Sequence, residues 1–190
     1  KGVLANCHVN VLQTQDHPQF KTYAEELKWL TTDKVRMAWV AKTVKDVSTS
    51  GNTLVLVDRI SAGEILQEQL EGSVFVSGST KNVDRKEQYD EVSTATNKII
   101  IATYGVASVG INIPRIFNLV LIEPGKSFVR VIQSIGRGIR KAEDKENVQI
   151  WDITSSCKFA KRHLGARKKF YKEANYPYTI EKINYENPYT

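Results

Sequence analysis

The chain has 190 residues, of which 41% are hydrophobic and 25% are charged, a composition that is typical of a globular protein and excludes a disordered or fibrous chain. No apolar run approaches the roughly 20 residues of a membrane helix, no signal-peptide segment opens the sequence, and two cysteines cannot build a disulfide framework, so a reducing cytosol is expected. The formal net charge of +6 favours an anionic partner such as nucleic acid.

The first 52 residues predict one strand, two helices and a loop. Apolar and polar residues alternate from Val3 to Leu12, which indicates a half-buried strand. Asp16 and Pro18 predict the start of a first helix, and a second helix is expected to follow Asp33. Residues 48–52 read Ser-Thr-Ser-Gly-Asn, which is the composition of a loop.

From residue 53 onward, predicted strands and helices alternate. The predicted strands are Thr53–Val57, Val74–Val76, Ile99–Ala102, Leu119–Ile122 and Val148–Trp151. The predicted helices are Ile60–Leu70, Val83–Val92, Phe128–Arg140 and Lys158–Ala174, and residues 176–187 predict an edge strand or a tail. Thr53–Val57 is uniformly apolar, as in parallel sheets that are buried on both faces. The alternation predicts an α/β fold with helices on both faces of a sheet.

Gly125-Lys126-Ser127, between a predicted strand and a predicted helix, resembles the end of a phosphate-binding P-loop. Such a loop needs a glycine five residues before Gly125, so that its amides can surround the phosphates. That position is Val120, inside the strand. A plain strand-to-helix turn is therefore favoured over a P-loop.

The predicted helix 128–140 has two chemically different faces. At about 100° per residue, Gln133, Arg137 and Arg140 fall within about 60° of one another. The opposite face is apolar and consists of Phe128, Val131, Ile132, Ile135 and Ile139. Two adjacent guanidiniums repel each other unless an anion such as phosphate lies between them. A solvated basic face would have the same pattern, so the helix alone leaves both interpretations open.

Residues 103–114, which follow the predicted strand Ile99–Ala102, contain two glycines together with Thr103 and Asn112. Open α/β sheets bind ligands at the carboxyl ends of their strands. This loop, then a strand, then Gln-x-x-Gly-Arg-x-x-Arg at 133–140 resemble motifs V and VI of superfamily 2 helicases and translocases. The amino-acid sequence of the loop is similar to that of the UvsW-like phage DNA helicases. The resemblance extends over about residues 53–151, and motif VI is its specific part.

The resemblance implies the second of two RecA-like motor domains, which is an α/β parallel sheet flanked by helices. We expect residues 1–50 to add a strand and two helices that pack on the motor domain, residues 51–156 to form the RecA-like core, and residues 157–190 to form a basic helix and a tail. The sequence starts at Lys1, not at methionine, and contains neither G-x-x-x-x-G-K-[ST] nor an Asp-Glu-x-His box. The first motor domain is therefore expected to lie outside this sequence.

The same resemblance implies the cofactor and the nucleotide-binding residues. ATP binds between the two domains in this family, with Mg²⁺ held mainly by the first domain. By motif match, Arg140 is the arginine finger on the γ-phosphate, Arg137 is a second phosphate contact and Gln133 is a polar partner in the cleft. Gly110 lies where motif V approaches the nucleotide. Asn112 stands where the family commonly has an aspartate that contacts the ribose.

Nucleic-acid contacts are implied at three further places. Thr103 matches the motif V residue that holds the nucleic-acid backbone, and Ser77 and Gly78 lie where a neighbouring loop does the same. The predicted C-terminal helix carries seven cations, which are Lys158, Lys161, Arg162, Arg167, Lys168, Lys169 and Lys172. We assign Lys168, Lys169 and Lys172 to phosphate contacts, although a helix with its basic side in water explains the pattern too.

Three functions remain open at this stage. The first is an ATP-driven DNA helicase or branch-migrating translocase, acting on branched or single-stranded DNA in the cytoplasm, or in the host cytoplasm if phage-encoded, with no membrane partner. The second is a nucleic-acid binding module that keeps the fold without motor activity, and the third is an RNA helicase. The complete set of Gln133, Gly136, Arg137 and Arg140 favours a motor, because a binding module has no need of an arginine finger. Cys157 and His163 have no further ligand nearby in sequence, so no metal site is expected.

Overall fold

The computed structural model describes residues 7–78, 80, 84–88, 91, 96–109, 115–125, 128–138 and 148–185, and of residues 134–138 it describes only the backbone. The strands are β1 (Cys7–Thr14), β2 (Thr53–Val57), β3 (Val74–Val76), β4 (Ile99–Thr103), β5 (Asn118–Ile122), β6 (Val148–Ser155) and β7 (Tyr178–Ile183). The helices are α1 (Tyr23–Thr32), α2 (Lys34–Ser48), α3 (Ile60–Gln69), α4 (Tyr104–Ser108), α5 (Phe128–Gly138) and α6 (Lys158–Glu173), and residues 84–88 are also helical.

The seven strands form one sheet in the order β3-β4-β2-β5-β6-β1-β7, and every neighbouring pair is parallel. The predicted α/β fold with a parallel sheet flanked by helices is therefore confirmed. Strand β1 lies between β6 and β7, so residues from the beginning and the end of the chain complete the same sheet as the central part. The division into three parts stays a prediction, and the sheet runs through all of them.

Helices cover both faces of the sheet. On one face α4, α5 and α6 bury Val106, Ile132 and Leu164 in the first apolar cluster. On the other face α2 and α3 bury Met37 and Leu66 in the second cluster. All five residues of β2 are buried, as its uniform apolar sequence predicted, because β2 lies inside the sheet with a helical layer on each side.

The first helix starts later than predicted. Helix α1 begins at Tyr23, and its N-cap is Thr22, whose hydroxyl accepts the Glu25 N–H at 3.2 Å. Asp16 does not cap a helix, because its carboxylate accepts hydrogen bonds from the hydroxyls of Thr14 and Ser155. The prediction of a helix start at Asp16 and Pro18 was therefore wrong. The Thr-x-x-Glu capping box at 22–25 correctly indicates the start of this helix.

Two further boundaries differ from the predictions. Strand β6 continues beyond Trp151 to Ser155, because the buried side chains of Asp152 and Thr154 have polar partners inside the fold. The tail after residue 175 forms β7 at the edge of the sheet, which confirms the edge strand. The second helix begins after Asp33, as predicted, and the Asp33 carboxylate accepts the Arg36 N–H at 3.0 Å. Parts of the predicted segments 3–12, 83–92 and 128–140 lie outside the described residues.

Arg36 is a charged residue beside the carboxyl ends of β1, β5 and β6, with none of its surface exposed. Its Nε donates to the Thr14 hydroxyl at 3.2 Å, and its Nη1 donates to the Leu30 carbonyl. Its Nη2 donates to Glu123 Oε2 at 2.6 Å and to the Thr154 carbonyl at 3.2 Å. One guanidinium thereby joins β1, α1, β6 and the end of β5 to α2.

Glu123, the closer of two acidic partners of Arg36, stands directly after β5, and the other partner is Asp16, whose Oδ2 lies 3.6 Å from Arg36 Nε. Its φ of 46° places it in the left-handed region, which is uncommon for a residue with a side chain. Its backbone N–H donates to the Ile153 carbonyl at 2.9 Å. Burial raises the pKa of Glu123 to about 7, and the neighbouring Arg36 guanidinium opposes that rise. The turn into α5 is thus fixed at its first residue by both its backbone and its side chain.

Replacing Arg36 with methionine tests how much this ion pair supports the fold. Arg36→Met leaves the Glu123 carboxylate buried without its cation, and breaking a buried pair in this way costs about 3–5 kcal/mol of unfolding free energy. The measurement is urea denaturation of the purified chain. The control is Lys34→Met on the exposed side of the same helix, where we expect a change within about 0.5 kcal/mol. Equal stability of the two variants would contradict a central role for Arg36.

Candidate functional site

The loops that carry the predicted site residues open at one edge of the sheet. Because the strands are parallel, all their carboxyl ends lie at the same edge, where open α/β sheets bind ligands. Ser77 and Gly78 follow β3, and Thr103 ends the neighbouring strand β4. The fold therefore brings the Thr103 loop and the 77–78 loop side by side.

Thr103 has a structural role in addition to the one predicted. It is the N-cap of α4, and its hydroxyl accepts the Val106 N–H at 3.3 Å. The side chain is partly exposed. Since the hydroxyl accepts this bond, its own proton can be donated to an outside acceptor such as a phosphate oxygen.

The 77–78 loop is held from within by polar contacts. Thr80 closes it twice, since its hydroxyl accepts the Ser77 N–H at 3.1 Å and its own N–H donates to the Ser77 carbonyl at 3.1 Å. Arg85 Nη2 donates to the carbonyls of Ser77 and Gly78 at 3.0 and 3.4 Å. Ser77 is buried, whereas Gly78 is exposed and has open space around its Cα. Gly78 is therefore the accessible residue of this loop, and Arg85 is a supporting residue that the sequence analysis did not assign.

Helix α5 has the two faces that the sequence predicts, as far as its side chains are described. Phe128, Val131 and Ile132 are buried, whereas Gln133 is exposed. Arg137 lies on the described backbone of α5, but its side chain is outside the described part. Arg140, Gly110 and Asn112 also lie outside the described residues.

The structure corrects the prediction for one of the seven cations on α6. Arg167 is only 3% exposed and points inward, so it is no part of a solvent-facing basic surface. Its guanidinium donates to both carboxylate oxygens of Asp152, at 2.8 and 2.9 Å, and to the Pro124 carbonyl at 2.8 Å. Its burial could have been predicted from its spacing with Leu164 and Tyr171, since these three positions lie on one side of a helix. Burial lowers the pKa of Arg167, but Asp152 outweighs this effect, so the guanidinium stays charged.

The other cations of α6 are on its outer side. Lys168 is half-buried, and the exposed ones are Lys158, Lys161, Arg162, Lys169 and Lys172. The apolar side of the helix is docked on the sheet through Leu164 and Tyr171. A basic surface of side chains therefore runs along the outside of α6.

The described residues contain no group of three His, Cys, Asp or Glu side chains that could hold a metal ion. Cys157 is buried beside the Pro18 carbonyl, and the ring of His163 lies edge-on to that of Tyr23 at 4.8 Å between centroids. Burial raises the pKa of Cys157, which keeps the thiol protonated at neutral pH. In the part of the chain that the structure describes, no helix is long and apolar enough to cross a membrane.

Comparisons with known proteins identify relatives over most of the chain. Residues 35–142 match the family model of the helicase conserved C-terminal domain. The chain is 30% identical to the ATP-dependent DNA helicase uvsW of Enterobacteria phage T4 over 180 residues, which are 87% of this chain and 36% of that protein. It is 33% identical to the putative helicase 22 of a Sulfolobus islandicus filamentous virus over 104 residues, which are 53% of this chain and 18% of that protein. The chain therefore spans about a third or less of these relatives' lengths.

Solved structures support the same fold. The crystal structure of T4 UvsW superposes with a TM-score of 0.81 and 23% identity, over 94% of this chain and 42% of that one. The S. cerevisiae protein Dbp5 bound to RNA and ADP BeF3 superposes with a TM-score of 0.62 and 14% identity, over 96% of this chain and 42% of that one. Together, these comparisons confirm the predicted resemblance to the C-terminal domain of helicases.

Two substitutions at Thr103 test its role as the N-cap of α4. Thr103→Val keeps the shape of the side chain but removes the hydroxyl that accepts the Val106 N–H, and loss of an N-cap costs about 1 kcal/mol. Thr103→Ser keeps a capping hydroxyl and should stay within a few tenths of a kcal/mol of the wild type. Thermal or urea unfolding of the three chains measures the difference. A serine variant as unstable as the valine variant would show that the hydroxyl is not what matters.

Proposed function

The chain belongs to the family of helicase conserved C-terminal domains, and from this we propose that it is the second motor domain of an ATP-dependent DNA helicase or branch-migrating translocase. The observation that carries the proposal is the order of elements inside the matched range 35–142. There the Thr103 loop, strand β5 and helix α5 follow one another, and the Gln-x-x-Gly-Arg-x-x-Arg sequence at 133–140 begins within α5. DNA is favoured as the substrate because the phage T4 relative is described as a DNA helicase.

The nucleotide side of the proposed site consists of α5 and residues 110–114, which follow α4 in the sequence. Arg140 is proposed as the arginine finger on the γ-phosphate, with Arg137 as a second phosphate contact and Gln133 as a polar partner. The exposed Gln133, opposite the buried Ile132, supports an outward direction for this stripe of the helix. Gly110 and Asn112 are proposed to lie beside the bound nucleotide.

ATP is proposed to bind between this domain and a first motor domain, which is also the expected protein partner. Phosphoryl transfer has a loose transition state that spreads charge over the γ-phosphate oxygens, so catalysis relies on positioning and on placed positive charge. An arginine from this domain would supply that charge only when the two domains close. Mg²⁺ is assigned to the first domain, and no step on this chain involves it.

The nucleic-acid side of the proposed site consists of Thr103, Ser77 and Gly78 at the carboxyl edge, together with Lys168, Lys169 and Lys172 on α6. The Thr103 hydroxyl would donate to a backbone phosphate, and the exposed Gly78 would allow the strand to approach closely. The lysines would contribute non-specific attraction to phosphates. The proposed place of action is the cytoplasm, which is the host cytoplasm if the protein is phage-encoded.

The arginine finger is tested in the full-length parent protein. Arg140→Ala should lower kcat for ATP hydrolysis by roughly 10³ to 10⁵, as removal of such arginines does in other nucleotide hydrolases, while the KM for ATP changes little. Arg140→Lys should not restore the rate, because an ammonium keeps the charge but loses the planar fork. Lys45→Ala, on an exposed position of α2, is the matched control and should be as active as the wild type. Wild-type turnover by Arg140→Ala would contradict the assignment of Arg140 as the arginine finger.

The chain by itself should not hydrolyse ATP. Its sequence has no G-x-x-x-x-G-K-[ST] loop to cradle the phosphates, so half of the proposed site is absent. Phosphate release by the purified chain, with and without single-stranded DNA, should stay at the background rate. Turnover above background that disappears in Arg140→Ala would contradict the assignment as a second motor domain.

A further inference from the structure

Helix α6 runs from the carboxyl edge of the sheet to its amino edge. Its N-terminal end follows β6 directly, and there Asp16 at the carboxyl end of β1 contacts Ser155 and Ser156. Its C-terminal end leads into Pro177, whose carbonyl accepts the Val9 N–H in the first half of β1. The cations along α6 therefore lie at different distances from the edge that carries Thr103 and Gly78.

Three cations share the carboxyl-edge end of the helix. Lys158, Lys161 and Arg162 are exposed and fall within about 100° around the helix axis. By contrast, Lys172 is about 16 Å further along the axis than Lys161, toward the amino edge. Lys168 and Lys169 also belong to this distant half of the helix.

The Phe159 ring holds two of these cations close together. Lys158 Nζ lies 5.2 Å and Arg162 Cζ 5.5 Å from the ring centroid. Within the described part of the chain, none of the three cations forms an ion pair with a carboxylate. Their charges are therefore available to an outside anion.

Glu26, a buried acid at the start of α6, is already used inside the fold. Its carboxylate accepts the N–H groups of Phe159 and Ala160, at 2.9 and 2.8 Å, and only 1% of the residue is exposed. Glu26 thus occupies the N-terminus of α6, where the helix dipole would otherwise attract an anion. Attraction at this end must come from the side chains of the three cations.

The three cations lie in line with the loops of the proposed nucleic-acid site. Helix α6 packs in the same layer as α4, the helix that Thr103 caps. Strand β6, which leads into α6, is three strand positions from β4 in the sheet, a distance of about 14 Å along the edge. Helix α1 packs at this edge, with the Tyr23 ring against His163 of α6, so a strand of nucleic acid that crosses Gly78 and Thr103 would pass over α1 to reach the start of α6.

We propose that Lys158, Lys161 and Arg162 form the main cationic contact of this chain with the sugar-phosphate backbone of single-stranded DNA. This inference rests on the proposed nucleic-acid function, and it moves the main electrostatic contact from Lys168, Lys169 and Lys172 to the other end of the same helix. The cations extend the track of Gly78 and Thr103 along the carboxyl edge.

Two triple variants test the proposal, and each removes three positive charges from one helix. The first is Lys158→Gln, Lys161→Gln and Arg162→Gln, and the second is Lys168→Gln, Lys169→Gln and Lys172→Gln. Affinity for a fluorescein-labelled oligothymidylate is measured by anisotropy across a salt series. Each lost phosphate contact on a single strand lowers the slope of log affinity against log salt by about 0.7. We expect a decrease of about 2 for the first triple, and a clearly smaller decrease for the second.

Each outcome decides the proposal. An equal or larger decrease for the second triple would overturn it and return the contact to Lys168, Lys169 and Lys172. Binding of polyglutamate as tight as that of the oligothymidylate, and equally weakened in the first triple, would also overturn it, in favour of an acidic protein partner. If the wild-type chain shows no salt-dependent DNA binding at all, the proposed nucleic-acid function itself fails. Circular dichroism of both triples checks that α6 is intact, and equal helicity makes the comparison valid.

Discussion

All seven strands run in the same direction, and this constraint determines where chemistry is possible in the molecule. A parallel sheet sends every strand-to-helix loop to its carboxyl edge, so loops that are far apart in sequence become neighbours there. Ser77 and Gly78, Thr103, and the turn from β5 into α5 reach that edge from three strands. The opposite edge receives the helix C-termini, so Arg137, near the C-terminal end of α5, lies toward it, whereas Thr103 and Gly78 lie at the carboxyl edge. The position of a group along its helix, and not only its exposure, therefore decides whether it can act together with Thr103 and Gly78.

Two buried arginines hold the turn that leads into α5, one from each face of the sheet. Arg36 reaches it from α2 through the carboxylate of Glu123, and Arg167 reaches it from α6 through the carbonyl of Pro124. A buried ion is expensive unless its charge and its hydrogen bonds are satisfied. Both guanidiniums meet that condition, since each also binds further oxygen atoms of the fold. A turn held in this way starts α5 from a defined position, which suits a helix whose outer face is proposed to meet a nucleotide.

The sequence was most informative where burial alone decides the structure. Apolar runs located the strands, and the uniformly apolar 53–57 segment identified a central strand of a parallel sheet. The sequence was misleading where polar residues are buried as a pair. Asp152 indicated the end of β6, and Arg167 was predicted to be a surface cation. The two bind each other inside the fold, and neither position shows this locally because the partners are 15 residues apart. The place of β1 beside β6 and β7 has no local signal at all. For the site, spacing alone predicted two faces for α5, whereas the roles of Arg137 and Arg140 came from the resemblance.

The insertion of β1 between β6 and β7 also constrains how the chain reaches its native state. Cys7 pairs with Val148, and Val9 pairs with Tyr178, so both neighbours of this strand are synthesised after β2, β4 and β5. Strands β2, β4 and β5 can assemble earlier, because their partners are close in the order of synthesis. Until β6 exists, the nascent chain carries an apolar strand with two unpaired edges, which is a hazard for aggregation. Such distant pairings raise the contact order of the domain, so we expect closure of the sheet around β1 to be a slow, late event of its folding.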